Sequence, residues 1–536
     1  MGAAAFDTSA QTINPAGAAK VVFTSTAQTL TAGAASAAYA VQVQDTFGNL
    51  RNGDNTTNIN LSSNSAQGTF SATAGGTYTA TLQITTSGGV GTFYYKDTLK
   101  GTPTLTAASG VLTSGTQGQT VNPAAALTLV FTQQPSPSVT VGTALAAQPV
   151  VEIRDQFNNL CTFGSDATLT VALAAVNSTD GTTVLSGSLA NGSVAASGGV
   201  ATFSNLSYNQ AETLKLKASS GALTTALSNA VTVNPGAVTP VITHTSLVAG
   251  AISNITIAFT AATAIPQNGD IQVTFPAGFD ISGAAYSSGN TGSTATASSQ
   301  ILTINLGTAV SAGGGVSVVV SGIKNPGVSG NGGTYAVETQ NAGDGLLDQG
   351  TAAANTFTTG VLVSPNVQPA SLSPNATGTV DVTFTTANPL PIGAKIEVVF
   401  PTSLGSGFVL DAAGAGTTAA SSATMDGSFT VAVSGSTVTL TRSAGTQQAA
   451  GQTETITLTN IKNPDAAGST GTYAITTKTN AGTDIDVAAS VAADTLTVGT
   501  LTATNVEPTS LVAGAQGLRS DRPGVAGRRE QHEGGK

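Results

Sequence analysis

One strand-and-turn pattern occurs twice in the sequence, and it constrains the fold more than any other feature. The copies are Val-Gln-Val-Gln-Asp-Thr-Phe-Gly-Asn-Leu at residues 41–50 and Val-Glu-Ile-Arg-Asp-Gln-Phe-Asn-Asn-Leu at 151–160. Apolar and polar residues alternate in both, as in a β-strand with one face on a core and the other in water. The predicted buried residues are Val41, Val43, Val151 and Ile153, and the predicted solvent-facing residues are Gln42, Gln44, Glu152 and Arg154.

A turn follows each strand, because Asp45 and Asp155 can accept hydrogen bonds from the backbone ahead of them. Ser-Gly-Gly-Val, at 87–90 and 197–200, predicts a tight turn in each copy. Asn-Pro dipeptides at 14–15, 122–123 and 234–235 are about 110 residues apart, close to the length of an immunoglobulin domain. Because proline lacks the N–H that a strand needs, each dipeptide predicts a strand exit and a short linker. We expect two domains of a first type, at 20–125 and 126–237, with few contacts across the linkers.

A second type of repeat begins at residue 238 and also occurs twice. Ser-Leu, Phe-Pro, Ile-Lys-Asn-Pro and Gly-Thr-Tyr follow one another in both copies, which we place at 238–363 and 364–502. The later copy contains about a dozen extra residues, which we assign to a surface loop between Gly405 and Gly427.

Both ends of the sequence carry incomplete repeats. Residues 5–15 resemble the closing strand at 226–235, so we expect 1–19 to hold the closing strand of a preceding repeat. Residues 503–536 begin a third copy of the second type, and the alternation stops near Leu518. We interpret this segment as a disordered tail produced by a reading-frame shift or an assembly-end artefact.

The composition excludes several classes of function. Only 8% of residues are charged and the net charge is -10, with no cluster of Lys and Arg before the last residues. Nucleic acid is therefore not an expected partner, since nothing would attract the phosphate backbone. The sequence contains no run of about 18 apolar residues that would predict a transmembrane helix. The single cysteine, Cys161, cannot form an intramolecular disulfide and lacks the cationic neighbour that would activate its thiol.

The sequence offers little for catalysis. It contains two histidines, His244 and His532, so neither a catalytic triad nor a histidine metal site is expected. We expect His244 to be a solvated linker residue. We therefore predict no enzymatic activity, no catalytic residue and no organic cofactor.

Calcium is the one metal that the sequence leaves open, because surface arrays can stiffen their junctions with it. The candidate ligands are Asp344, Asp348, Asp484 and Asp486. Neither pair reproduces an EF-hand loop or a nonapeptide calcium repeat. Ordinary turn-capping aspartates are the favoured interpretation, with calcium binding as the alternative.

The first repeat type, with its Asp-x-Phe turn, Ser-Gly-Gly-Val turn and Asn-Pro exit, resembles the bacterial immunoglobulin-like repeats of invasin and intimin. The second type is similar to other repeats of large extracellular proteins. The resemblance implies an all-β chain, a tandem array of immunoglobulin-like antiparallel β-sandwich domains. It implies a non-enzymatic spacer or stalk of a large bacterial cell-surface or secreted protein that is adhesin-like and extracellular. The surface ligand, a protein or a glycan, would bind other parts of the parent chain.

Two alternative functions stay open at this point. Carbohydrate-binding modules carry sugars on aromatic side chains, and alternation in Phe93-Tyr94-Tyr95 sends Tyr94 outward and its neighbours inward. The other alternative is an accessory region of a secreted hydrolase, which would need an acid/base pair on a neighbouring domain.

Overall fold

The computed structural model describes residues 13–411 and 418–499, and this part of the chain is almost entirely β-structure. Its only helical element is one 3-10 turn, Ser165–Thr168, which confirms the all-β prediction. No helix among these residues is long and apolar enough to cross a membrane. The described residues divide into two compact units. The first comprises 13–247, 251–326 and 331–356, and the second comprises 248–250, 327–330 and 357–499 without the gap at 412–417.

The first β-sandwich is built from ten strands around an aromatic core. The strands are β1 (Lys20–Phe23), β2 (Thr29–Thr31), β3 (Tyr39–Gln44), β4 (Asn58–Ser63), β5 (Gly68–Ser71), β6 (Leu82–Thr85), β7 (Val90–Asp97), β8 (Thr104–Ala108), β9 (Gly115–Gly118) and β10 (Thr120–Asn122). One sheet has the order β1-β3-β7-β5 and the other β6-β4-β8-β9, while β10 runs parallel to β2. Between the sheets, the rings of Tyr39 and Phe93 stack with centroids 5.3 Å apart.

The second β-sandwich also has ten strands. They are β11 (Ala126–Gln133), β12 (Ser138–Thr140), β13 (Val150–Asp155), β14 (Thr170–Asn177), β15 (Leu189–Ala190), β16 (Ser193–Ala195), β17 (Val200–Thr202), β18 (Ser207–Tyr208), β19 (Thr213–Ser219) and β20 (Ala226–Asn234). The sheet orders are β11-β13-β17 and β12-β20-β19-β14-β16, with β15 paired to β18. In both sandwiches the burial predicted for β3 and β13 is confirmed. Val41, Val43, Val151 and Ile153 are fully buried, and the four polar residues between them keep partial exposure.

The third and fourth sandwiches share one topology. The third contains β21 (Gly236–Ala237), β22 (Val241–His244), β23 (Ile252–Thr260), β24 (Asp270–Thr274), β25 (Ala285–Ser288), β26 (Thr294–Ser298), β27 (Ile301–Asn305), β28 (Gly315–Lys324), β29 (Gly330–Asn331), β30 (Tyr335–Gln340), β31 (Leu346–Ala352) and β32 (Thr356–Phe357). The fourth contains β33 (Gly360–Val361), β34 (Val363–Pro369), β35 (Thr377–Thr385), β36 (Lys395–Val399), β37 (Ala420–Ser422), β38 (Ser428–Ser434), β39 (Thr437–Ser443), β40 (Thr453–Lys462), β41 (Gly468–Ser469), β42 (Tyr473–Lys478), β43 (Asp484–Val491) and β44 (Thr495–Leu496).

Each of these two sandwiches has a six-stranded and a four-stranded sheet. The orders β21-β31-β30-β24-β27-β26 and β22-β23-β28-β25 in the third correspond to β33-β43-β42-β36-β39-β38 and β34-β35-β40-β37 in the fourth. The short strands β21 and β33 begin the third and fourth sandwiches, and each pairs in parallel with a later strand of its own sandwich, β31 and β43. The limits of independently folding domains stay a prediction.

The motifs of the second repeat type contact one another. Phe275 of the first Phe-Pro packs edge-on against Tyr335 of Gly-Thr-Tyr at 5.3 Å between ring centroids, and Phe400 packs against Tyr473 at 5.6 Å. In the Ile-Lys-Asn-Pro motif, Asn325 Nδ2 donates to the carbonyl of Ser246 at 2.8 Å. These motifs therefore recur because they hold the sandwich together.

Two turn predictions have different outcomes. Gly88 and Gly89 adopt φ of 61° and 76°, and Ser87 and Val90 exchange backbone hydrogen bonds, so the Ser-Gly-Gly-Val turn is confirmed. The loop predicted between Gly405 and Gly427 is only partly a loop. Strand β37 lies within this segment and pairs with β40, so the segment supplies an edge strand to the smaller sheet. Met425, which follows β37, is buried in the core.

Candidate functional site at the sandwich junctions

The recurrent Asp turn binds the backbone of the linker that precedes its own sandwich. Asp155 Oδ1 accepts the N–H groups of Phe157 and Asn159, each at 2.9 Å. Its Oδ2 accepts Asn159 Nδ2 and the N–H of Ala124, each at 2.8 Å, and Ala124 directly follows the Asn-Pro dipeptide. The carboxylate therefore fixes both the turn and the linker.

Asp45 makes the same four interactions in the first sandwich. Its Oδ1 accepts the N–H groups of Phe47 at 2.9 Å and Asn49 at 2.8 Å. Its Oδ2 accepts Asn49 Nδ2 and the N–H of Ala16, each at 3.0 Å. Ala16 follows the first Asn-Pro as Ala124 follows the second. The same four hydrogen bonds, here called the clamp, are therefore formed by the Asp of each sandwich.

Both clamp carboxyl groups are held ionised. Burial alone would raise the pKa of Asp45, but the hydrogen bonds from Asn49, Ala16 and Phe47 outweigh it and lower the pKa to about 2. The pKa of Asp155 is lowered in the same way, against the effect of burial, by Asn159, Ala124 and Phe157. A carboxylate that accepts several N–H groups favours its charged form.

Phe157 and Asn159, both bonded to the Asp155 carboxylate, also contact the first sandwich. The Phe157 ring lies over Gly33, where any Cβ would overlap it, and Gly33 has a φ of 79°, which glycine adopts without strain. Asn159 donates from Nδ2 to the carbonyl of Thr98 at 2.8 Å and accepts the N–H of Lys100 at 3.0 Å. Few contacts are expected across this linker from the sequence, whereas Phe157 and Asn159 both contact the first sandwich.

The next junction repeats the arrangement with different residues. Gly142 has the same place and conformation as Gly33, with a φ of 74°, and the side chain of Thr263 lies over it. The N–H of Ala211, equivalent to Lys100, donates to the carbonyl of Leu346 at 2.8 Å. Asp348 Oδ2 accepts the N–H of Thr263 at 3.2 Å, which makes it the clamp carboxylate of this junction.

Asp486 plays the corresponding part within the second unit. Its Oδ2 accepts the N–H groups of Ala387 and Asn388, each at 3.0 Å, and its Oδ1 accepts Asn388 Nδ2 at 2.7 Å. Asn388 also donates to the carbonyl of Ala249 at 3.2 Å and lies over Gly250, which has a φ of 70°.

The four candidate calcium ligands are thus separated by role. Asp348 and Asp486 are fully buried clamp residues. Asp344 is exposed in a turn with a φ of 62°, and Asp484 pairs with Lys478 Nζ at 3.3 Å. Among the described residues no three His, Cys, Asp or Glu side chains are grouped so that they could hold a metal ion. Calcium binding stays the untested alternative to turn-capping aspartates.

His244 is not the solvated linker residue expected from the sequence. It ends β22, and its ring nitrogens lie 2.9 Å from Tyr335 Oη and 3.1 Å from Asn325 Oδ1. Burial lowers its pKa, and the contact with Asn325 opposes this only partly. The strand alternation that buries Ile242 places His244 toward the same core, where its neutral form bonds the tyrosine hydroxyl.

Tyr94 faces outward as predicted, and the Cys161 thiol is buried, with Lys100 as a cationic neighbour that the sequence did not indicate. Cys161 is fully buried, and burial, with the charges of Asp155 and Asp166, raises the pKa of its thiol to about 11. Tyr94 keeps partial exposure on β7, between the fully buried Phe93 and Tyr95.

Sequence reasoning missed the Gly33 contact, although the sequence contains a signal for it. Leu-x-Ala-Gly occurs at 30–33, 247–250 and 511–514. In the first copy the ring of Phe157 lies over its glycine, Gly33, and in the second the side chain of Asn388 lies over Gly250. Leu-x-Ala-Gly carries no catalytic or metal-binding side chain, and its repetition indicates the glycine over which another side chain packs.

No protein-family model and no curated protein matches the sequence. Similar solved structures include the Escherichia coli adhesin FdeC, 12% identical over 64% of this chain and 100% of that chain, with a TM-score of 0.27. Surface layer protein SbsC, domains 4–9, is 12% identical over 91% of this chain and 84% of that one, with a TM-score of 0.16. A β-glycosidase from Bacteroides vulgatus is 11% identical over 41% of this chain and 25% of its own, with a TM-score of 0.17. None of these matches identifies a ligand or an activity for this chain.

Proposed function

We propose that this chain is a non-enzymatic spacer of a bacterial cell-surface or secreted protein, which carries a binding region located elsewhere on its parent protein. Each sandwich buries its own core, and in both units a buried carboxylate binds linker or loop backbone. The single observation that carries the proposal is the identity of the Asp45 and Asp155 networks, four hydrogen bonds made to the same four positions.

A spacer needs junctions that resist bending, and these networks provide that resistance. A linker attached only by its covalent bonds bends freely, whereas a linker N–H bonded to a buried charged acceptor is fixed in direction. Repeating one junction design lets sandwiches be added in series, since each contacts only its neighbours.

The location is tested on the source cells. Antibodies raised against residues 20–237 should label intact cells, and protease added outside should remove the label without lysis. Labelling that requires permeabilised cells, or that survives external protease, would contradict a surface location. A cytosolic protein detected on the same samples controls for lysis.

One observation favours carbohydrate binding as a second candidate function. Tyr94 keeps partial exposure on the strand that also carries Lys96, and Lys96 Nζ lies 5.9 Å from the centre of the Tyr78 ring. Burial, and to a smaller extent Tyr94, raises the pKa of Tyr78. Aromatic rings of this kind can stack on sugars. A glycan array probed with the whole chain, and with Tyr94→Ala as its control, tests it. Binding that Tyr94→Ala abolishes would support this candidate, and an array without signal would rule it out for the glycans printed.

A further inference from the structure

The first and second sandwiches present the same turn in different surroundings. Phe157 is half-buried by the first sandwich, whereas the equivalent Phe47 is 82% exposed. Asn159 is only 4% exposed because it bonds Thr98 and Lys100, whereas the equivalent Asn49 is exposed. Within the described part of the chain, the hydrogen bonds of Asn49 stay inside its own turn.

We propose that Phe47 and Asn49, here called the Phe47 surface, bind the end of another first-type domain that carries a glycine like Gly33. The partner is thus an immunoglobulin-like domain whose end resembles the glycine end of the first sandwich. It presents a left-handed glycine with open space above it, a free carbonyl like that of Thr98 and a free N–H like that of Lys100. This inference goes beyond the proposed function, because it rests on junction geometry and is independent of where the protein is located.

Continuity with the existing junction identifies this partner. In the first sandwich, the closing strand β10 accepts the N–H of Ala32 at the carbonyl of Asn122, next to Gly33. Two residues later, the N–H of Ala124 donates to Asp155. The closing strand therefore places the glycine end of one domain against the Asp turn of the next.

The same connection exists ahead of the Phe47 surface. Asp45 already accepts the N–H of Ala16, as Asp155 accepts that of Ala124. The residues before Ala16 resemble in sequence the closing strand at 226–235, including its terminal Asn-Pro. A domain whose closing strand ends at this Asn-Pro would have its glycine end over Phe47. A second copy of the whole chain would not be joined covalently to Ala16, and it is therefore the less favoured occupant.

The physical fit is specific to a glycine end. The ring of Phe157 occupies space that any Cβ at Gly33 would take, so only glycine leaves room for phenylalanine. Burying an exposed Phe ring and pairing both polar groups of an Asn side chain favour association together. A flat apolar partner would bury the ring but supply no donor for Asn49 Oδ1 and no acceptor for the second N–H of its Nδ2, whose other N–H is already bonded to Asp45.

The test inserts a second copy of residues 16–123 after Pro123 in the full chain, so that the order becomes 1–123, 16–123 and 124–536. The chain contains no tryptophan, so Phe47→Trp in either copy gives a single fluorescent reporter. We expect the reporter in the inserted copy to emit at the shorter wavelength of Phe157→Trp in the parent chain, and the reporter at the original position to emit as solvent-exposed. Equal, solvent-exposed emission from both copies would overturn the proposal.

A matched pair of variants tests the glycine. Gly33→Val in the copy ahead of the reporter should return the emission to that of an exposed tryptophan. Gly75→Val is the control, since Gly75 also has a positive φ, of 70°, with nothing within 4 Å of its Cβ position. A return caused equally by both variants would show a folding defect instead of a blocked site and would contradict the assignment to Gly33.

A second measurement avoids dependence on tryptophan and on the glycine variants. Phe47→Cys in the inserted copy should react with a maleimide roughly tenfold more slowly than Phe47→Cys at the original position, because the docked side chain is shielded. Cys161 is buried and provides the unreactive background. Equal rates at the two positions would also overturn the proposal. If a separately added copy of the chain slowed the reaction at the original position, association between chains would replace the proposed covalent neighbour.

Discussion

Phe157 covers Gly33, so that the second sandwich fills a gap in the first that only a residue without Cβ can leave. Asp155, two residues before this phenylalanine, holds the linker between the same two sandwiches. One turn therefore fixes both the covalent and the non-covalent connection.

Gly33→Val should displace the Phe157 ring and lower the free energy of unfolding by about 1–3 kcal/mol, through overpacking and backbone strain at a positive φ. Gly75→Val controls for strain alone, since it meets no neighbour. Urea unfolding followed by far-ultraviolet circular dichroism, with Phe157 unchanged, measures both. If the two glycine variants lost the same stability, the contact between Phe157 and Gly33 would add nothing measurable.

Asp155→Asn should loosen the junction, because an amide nitrogen would replace the Oδ2 that accepts two donors. The donors of Ala124 and Asn159 would then face another donor, at a cost of about 2 kcal/mol. Asp180→Asn is the matched control, since Asp180 also accepts two backbone N–H groups ahead of it but in an exposed turn far from a linker. Limited proteolysis at the 122–126 linker should accelerate only in Asp155→Asn. Unchanged cleavage in both variants would contradict a clamp.

Acid should release the clamps. The pKa of Asp45 falls from its ordinary 3.8 to about 2, and that of Asp155 falls in the same direction. A lowered pKa stabilises the folded state above the unfolded pKa, and this contribution disappears as the pH falls through the folded value. We expect stability to be constant above about pH 4–5 on this account and to decline toward pH 2. Asp155→Asn should decline less steeply over that window, and identical slopes would contradict the assignment.

Thr263→Asn should stabilise the junction between the second and third sandwiches. Asp348 Oδ1 is buried and has no hydrogen-bond partner among the described residues, whereas the equivalent oxygen of Asp486 accepts Asn388 Nδ2. Asparagine at position 263 would supply the missing donor, worth about 1 kcal/mol. Thr263→Val, which keeps the size and removes the hydroxyl, is the control. A destabilised Thr263→Asn with an unchanged Thr263→Val would show that the two junctions differ in shape.

The alternation of residues 41–44 and 151–154 was enough to predict strands and their buried faces. With a side-chain period of two, only one of the two faces of each strand carries the apolar residues, and that face must be buried. The same repeats indicated the all-β class and the tandem organisation. His244 was misplaced because its proximity to Asn-Pro suggested a linker, whereas β22 continues through it. The surface loop predicted near Gly405 was only partly correct, because a short edge strand such as β37 has no clear alternation by which to predict it.

The junction residues could be found in the sequence but not understood from it. Asp155 was predicted to start a turn, which is correct, yet its bond to Ala124 joins positions far apart in sequence. Gly33 was one of 63 glycines, and only the ring of Phe157 over it shows why it is glycine. Contacts between domains depend on how two surfaces meet, and a local pattern does not encode that.

Small-angle X-ray scattering of the whole chain tests the spacer account most directly, with calcium present and again after a chelator is added. Four sandwiches in line, each about 35–40 Å long, would give a length of about 140 Å and a radius of gyration of about 40 Å. One compact globule of this chain length would have a radius of gyration of about 24 Å. We predict the larger value, unchanged by the chelator, since Asp348 and Asp486 already accept backbone N–H groups. A value near that of the globule would contradict the spacer, and a fall after chelation would assign the stiffness of the junctions to calcium.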